Sequence, residues 1–148
     1  MSALPSQSRY IIGTEACERF SFYGMKSILM LYMTGHLLMS DNWSTSTLHI
    51  FVAMVYLLPL AGAWLADKVW GRYKTILYIS LLYCVGHGVL ATADLSHTIE
   101  ARRYILMAGL FIIALGAGGI KPCVSAFMGD QIPNKSPQLM TKAFNAFY

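Results

Sequence analysis

Three long stretches without a charged residue set the limits on what this chain can fold into. Residues 42–66, 75–93 and 104–120 contain no Asp, Glu, Lys or Arg. A helix needs about 20 mainly apolar residues to cross a bilayer, within a range of about 17 to 25, and each stretch meets that length. Composition agrees: 56% of residues are hydrophobic and 12% charged, where a soluble domain carries about 25% charged. The expected class is an all-α integral membrane protein.

The pattern predicts four complete transmembrane helices, over residues 11–38, 47–70, 73–93 and 104–131, and the start of a fifth near Leu139. The chain stops at Tyr148 inside a helical pattern, so residues 1–148 read as the front part of a longer protein whose C-terminal half is missing. Arg9, Lys68, Arg72, Lys74, Lys135 and Lys142 fall at connections on one side, and only Arg102 and Arg103 on the other. The positive-inside rule then places the N-terminus in the cytoplasm. The 41–43 and 94–103 loops face outside.

The same charge pattern excludes some functions. The net charge of +4 comes from basic residues scattered between apolar spans, which make no nucleic-acid-binding patch. Cys17, Cys84 and Cys123 lie in predicted membrane helices without metal-ligand spacing, as apolar filler would. No Ser-His-Asp set, metal cluster or phosphate loop stands in a plausible context, so neither an enzyme nor a metal or organic cofactor is expected.

The first helix departs from the apolar rule. Glu15, Arg19, Phe22 and Lys26 share one narrow stripe at helical spacing, with Glu18 and Tyr23 on its flanks. Charges at membrane depth are costly and usually face a bundle interior or a wet cavity, which makes this helix a candidate wall of a polar pathway. Desolvation alone favours a protonated carboxyl, whereas neighbouring cations favour the carboxylate. Glu15 and Glu18 beside Arg19 and Lys26 therefore form a coupled group able to hold or release a proton. Such a group links protonation to helix packing. A static ion-pair network is the simpler alternative.

Lys121 follows Gly116, Gly118 and Gly119 and precedes Pro122. Small residues let helices approach closely, and a buried ammonium needs a partner. Glu15 or Glu18 is the expected one. Tyr23 and Tyr56 offer a hydroxyl and an aromatic face to a ligand, while Tyr32, Tyr78, Tyr83 and Tyr104 read as packing or interface anchors. His49, near the outer start of helix two, can titrate at physiological pH, although a lone His is more often structural.

The short connection between helices two and three contains Asp67, Gly71 and Arg72. Asp67 near a helix C-terminus opposes the helix dipole, so compensation is expected from Lys68, Arg72 or another helix N-terminus. The run from Gly62 through Leu65-Ala66-Asp67 to Gly71-Arg72 resembles the cytoplasmic loop signature of the major facilitator superfamily. Its first glycine sits one residue early and its loop is one residue longer.

Glu15-Ala16-Cys17-Glu18-Arg19-Phe20 resembles the Glu-x-x-Glu-Arg-Phe motif of the proton-dependent oligopeptide transporter family. Gly118-Gly119-Ile120-Lys121-Pro122 resembles that family's helix-four motif, and Ala146-Phe147-Tyr148 the opening of its helix-five signature. The resemblance implies the N-terminal helices of a major facilitator fold. It also implies a symporter that imports di- and tripeptides by alternating access, with the proton as coupling ion. It assigns proton coupling to Glu15, Glu18 and His49, and a salt-bridge network to Glu15, Glu18, Arg19 and Lys121. Peptide contacts fall on Arg19, Tyr23, Lys26, Tyr56 and Lys121, and the peptide amine site in the missing C-terminal half. Lys26 stands where many members have Arg, and Phe22 where some have Tyr. A bacterial inner membrane is the expected location. Transport of nitrate or another small solute, a non-transporting sensor, and a structural fragment remain the alternatives.

Overall fold

A computed structural model describes residues 6–132 and 137–147 of the chain. Among these residues five α-helices follow one another: α1, Ser6–Leu31; α2, Asp41–Leu65; α3, Arg72–Ala91; α4, Ile99–Asp130; and α5, Pro137–Phe147. There is no strand among the described residues. π-Helical turns extend α1 over Tyr32–His36 and α2 over Ala66–Trp70, and a 3₁₀ turn, Ala93–Leu95, follows α3. Lys135 and Tyr148, which entered the orientation and motif readings above, lie outside the described residues.

The protein is an all-α membrane protein of the expected class. Among the described residues three segments are long and apolar enough to cross a membrane: Asp41–Trp70, Arg72–Leu95 and Ile99–Asp130. The fourth expected crossing, α1 with its π turn, covers 26 and 5 residues. At 1.5 Å per residue that reaches about 45 Å, enough to span. Its charges keep it out of the purely apolar set.

The helix starts fall earlier than expected because of their caps. The α2 helix begins at Asp41 rather than residue 47, where the Ser40 side chain accepts from the Trp43 N–H and Asp41 lies in the first turn. His49 is therefore inside the helix rather than at its beginning. The Thr98 hydroxyl likewise accepts from Ala101 N–H and starts α4 five residues before the predicted Tyr104.

The α4 helix is the axis of the bundle and packs along both α2 and α3. Its buried face includes Leu106, Leu110, Ile113, Ala114, Ala117, Val124 and Met128, meeting Phe51 and Val55 of α2 and Ile79 of α3. Glycines make the approach possible. A Cβ on Gly116 would stand 2.6 Å from Tyr83 Cβ, one on Gly118 2.6 Å from Leu58 Cβ, and one on Gly62 2.6 Å from the Gly119 backbone. The helix continues through Pro122. At one end of the bundle the sharp turn into α3 uses Gly71 at φ 78°, a conformation that favours glycine. At the other end Arg103 of α4 donates to the carbonyls of Leu37 and Leu38 at 2.8–3.1 Å, and Tyr32 donates to Asp94 at 2.8 Å.

The Gly62–Gly119 contact leaves no room for a side chain. Gly62→Val is expected to destabilise the detergent-solubilised protein by about 1–3 kcal/mol, the usual cost of overpacking. Gly88→Ala, where nothing lies within 4 Å of the new methyl, should hold or raise the thermal midpoint, because Ala favours a helix by about 1 kcal/mol over Gly. Thermal unfolding of the two variants checks both.

Candidate functional site

The α1 helix buries Ser8, Glu15, Glu18, Phe22 and Leu29. Four of these recur every seventh residue, the spacing that keeps one helix face against a neighbour. The two acids thus sit on the packed side of the helix, with Glu15 4% and Glu18 7% exposed. Arg19 is placed one turn after Glu15, and its Nε donates to Glu15 Oε1 at 2.7 Å. The Glu15–Arg19 part of the expected salt-bridge network is present. Arg19 also lies within electrostatic range of Glu18 and Tyr23.

The expected ion pair of Lys121 with Glu15 or Glu18 is not closed. No ion pair within 4.0 Å joins them among the described residues. The Lys121 ammonium instead stands over two rings, 5.4 Å from the Phe22 centroid and 5.5 Å from that of Tyr56. Both distances suit a cation–π contact, a favourable use of an ammonium away from bulk water. Phe22 is held in place by stacking on Phe51 (5.8 Å, 27°) and by an edge contact with Tyr23 (5.5 Å, 79°). Glu18 still feels Lys121 electrostatically. Lys121 therefore joins α1, α2 and α4 through aromatic faces, with the acid pair one step away. Sequence spacing names which charges share a depth but not which rings stand between them.

The motif residues divide into a connected group and outliers. Glu15, Glu18, Arg19, Tyr23, Lys121 and Tyr56 are linked through the contacts above. Tyr23 (58% exposed) and Tyr56 (73%) present their rings on an open face. Lys26 is half-buried further along α1, and His49 is exposed on α2. Among the described residues no hydrogen bond, ion pair or ring contact ties either to the cluster. On the other side of α1 a groove of about 660 Å³ runs along α3, lined by Glu15, Glu18, Ser21, Ser80, Tyr83 and Ile120. Glu15 Oε2, Glu18 Oε1 and Ser80 Oγ are buried and meet no hydrogen-bond partner among the described residues. The acids thus stand between the face that carries Arg19 and Lys121 and a mostly apolar groove that Arg9, Ser21, Ser80 and Tyr83 help to line.

Two residues read from sequence as packing or interface anchors make polar links. Tyr32 bonds Asp94 as described, and Tyr83 bonds Ser21 across 2.7 Å. Helical periodicity could not reveal either, because the partners are 62 residues apart. In the loop motif, Asp67 has no ion-pair partner within 4.0 Å among the described residues and is exposed. Arg72 pairs with Asp130 at the end of α4 instead, while still within electrostatic range of Asp67. Among the described residues no group of His, Cys, Asp and Glu could hold a metal ion.

Comparison with known proteins gives the geometry a context. A family model described as "POT family" matches residues 73–148. Peptide transporter family 1 of Drosophila melanogaster is 45% identical over 146 residues, covering 97% of this chain and 20% of that protein. The structure of the POT family transporter PepTSo superposes with a TM-score of 0.86 at 46% identity, covering 99% of this chain and 29% of that one. A second structure, described as a proton dependent oligopeptide (POT) family transporter, is 48% identical with a TM-score of 0.78, over 94% of this chain and 30% of that chain. The chain spans about a fifth of the length of the curated relatives it matches. An animal protein among them means that the match does not single out a bacterial membrane.

The ring beneath Lys121 can be tested without a transport assay. Tyr56→Phe keeps the aromatic face and should unfold near the wild-type temperature. Tyr56→Ala removes it, with an expected cost of about 0.5–2 kcal/mol, and thermal unfolding in detergent separates the two.

Proposed function

Because the chain belongs to the POT family of membrane transporters, we propose that it is the N-terminal part of a proton-coupled symporter for di- and tripeptides, working by alternating access. A C-terminal half completes the substrate site on this reading. The N-terminus faces the cytoplasm and the membrane is the cell's plasma membrane. The proton is the coupling ion, no other cofactor takes part, and the chain moves a solute without covalent chemistry.

One observation carries the proposal: two carboxylates are buried in a membrane helix, one paired with Arg19 and the other within electrostatic range of Lys121 and Arg19. Protonating either acid removes its attraction to the cations, so proton occupancy and the packing of α1 on α4 become linked equilibria. Among the described residues no carboxylate lies within 4.0 Å of the Lys121 ammonium. A peptide's C-terminal carboxylate approaching the open face can take that place beside Lys121, Arg19 and Lys26, while Tyr23 and Tyr56 contact its backbone or side chains. Lys26 offers a point charge rather than the planar fork of an Arg, so its share of carboxylate binding is the smaller. His49 stands apart from the acid pair, and its part in coupling is the least supported by geometry.

The test is uptake of labelled dialanine into proteoliposomes that hold the full-length transporter carrying this chain. An inward proton gradient should drive accumulation. Glu18→Gln should abolish gradient-driven uptake and retain peptide exchange, because a permanently neutral side chain mimics one protonation state. Absence of any di- or tripeptide uptake by folded, inserted wild-type protein overturns the peptide reading, and nitrate uptake in its place would establish the small-anion alternative.

A further inference from the structure

We infer that Tyr83 of α3 is a positioning residue for the acid pair of α1, holding the turn that carries Glu18 against the α3–α4 core through a hydroxyl cluster with Ser21. The inference rests on the proton-coupling reading above and extends it to a residue that touches neither peptide nor coupling carboxyl.

Three oxygens meet at this point. The Tyr83 hydroxyl lies 2.7 Å from Ser21 Oγ and 3.3 Å from the Glu18 backbone carbonyl, and Ser21 Oγ lies 3.0 Å from that same carbonyl. Two hydroxyls thus meet beside the carbonyl of Glu18, one donating to it and the other to its partner hydroxyl. Either order of donation satisfies all three groups: Tyr83 to Ser21 to the carbonyl, or Ser21 to Tyr83 to the carbonyl. Tyr83 is only 7% exposed, so water is a poor competitor for the hydroxyl link; without it Ser21 still caps the carbonyl, but the tie from α1 to α3 is gone.

The tyrosine is a fixed post. Its Cβ and Cα sit 2.6 and 2.8 Å from where a Cβ on Gly116 would stand, so α4 packs directly on its backbone. Its ring lies 4.5 Å from that of His87, whose Nδ1 is 3.2 Å from the Tyr83 carbonyl. The backbones of α1 and α3, by contrast, make little contact. A hydroxyl bridge from a rigid helix pair to a loosely packed one sets how far the α1 turn can move. Every charged or titratable group that acts on Glu18 is then held at a set distance: Glu15 and Arg19 on α1, Lys121 on α4 and Tyr83 itself on α3. From α2 the neighbour of this turn is the Phe51 ring on Phe22.

Tyr83→Phe keeps the ring and removes the bridge. Released from α3, the Glu18 turn can relax toward Lys121 and Arg19, which favour the ionised carboxyl. Gradient-driven uptake should then reach half-maximum at more acidic pH and fall about fivefold at the wild-type midpoint, the factor that one ordinary hydrogen bond carries in an equilibrium. Peptide exchange, which needs no net proton movement, should be retained. Ser21→Ala should shift the pH profile in the same direction. The double variant should shift no further than either single one, since both act through one contact.

The experiment is the pH dependence of dialanine uptake and exchange in proteoliposomes for wild type, Tyr83→Phe, Ser21→Ala and the double variant, all in the full-length transporter. A common, non-additive acid shift with exchange intact supports the inference. Unchanged pH midpoints in an active background, or single effects that add, overturn it. Should Tyr83→Phe fail to fold, Ser21→Ala alone decides between those outcomes. Inactive wild type overturns the peptide-symport reading instead, which keeps the two failures distinct.

Discussion

The structure depends on keeping two carboxyl groups out of water in a helix that must cross a bilayer. An isolated ionised carboxyl is strongly disfavoured in an apolar setting, so Glu15 and Glu18 constrain everything around them. Glu15 is met within its own helix by Arg19, at the i,i+4 spacing that brings side chains together. Glu18 is met at a distance, by Arg19 of its own helix and by a lysine that another helix must deliver. The fold of α4 is what delivers it.

That delivery is a packing problem solved with glycine. Gly116 and Gly118 let α4 lie close against Tyr83 and Leu58, and Gly119 leaves room for the Ile79 side chain. Lys121 comes two residues after this seam and emerges where α1 and α2 offer the faces of Phe22 and Tyr56. A cation resting on rings is held more loosely than one in a closed ion pair, because a carboxylate can still displace the weaker contact. The same arrangement leaves Lys121 open to an incoming anion and keeps it near enough to respond to Glu18. The Tyr83–Ser21 bridge supports the acid from the opposite side, so Glu18 sits between a movable cation and a fixed hydroxyl.

Much of this was legible in the sequence, for identifiable reasons. Apolar runs longer than a bilayer's thickness announced α2, α3 and α4, because no soluble fold needs them. Helical spacing placed Glu15 with Arg19, and the two side chains meet at 2.7 Å, because i,i+4 geometry is local. The helix starts were missed where a polar cap precedes the apolar run: Ser40 and Thr98 start α2 and α4 in sequence that reads as loop. The Lys121 pairing came out differently because the positions of rings from two other helices decide it, and one sequence encodes those only through the whole fold. Arg72 with Asp130 and Tyr83 with Ser21 stayed hidden for the same reason, being long-range partners without a periodic signature.

The central claim is that Glu18 changes protonation state during the working cycle, and the most direct measurement is infrared difference spectroscopy of the full-length transporter in lipid across a pH titration. The account predicts a carboxylic-acid carbonyl band that appears and disappears with pH, is perturbed by added dipeptide, and is lost in Glu18→Gln. A titrating band that survives unchanged in Glu18→Gln, or no such band at any pH at which the protein stays folded, would contradict it.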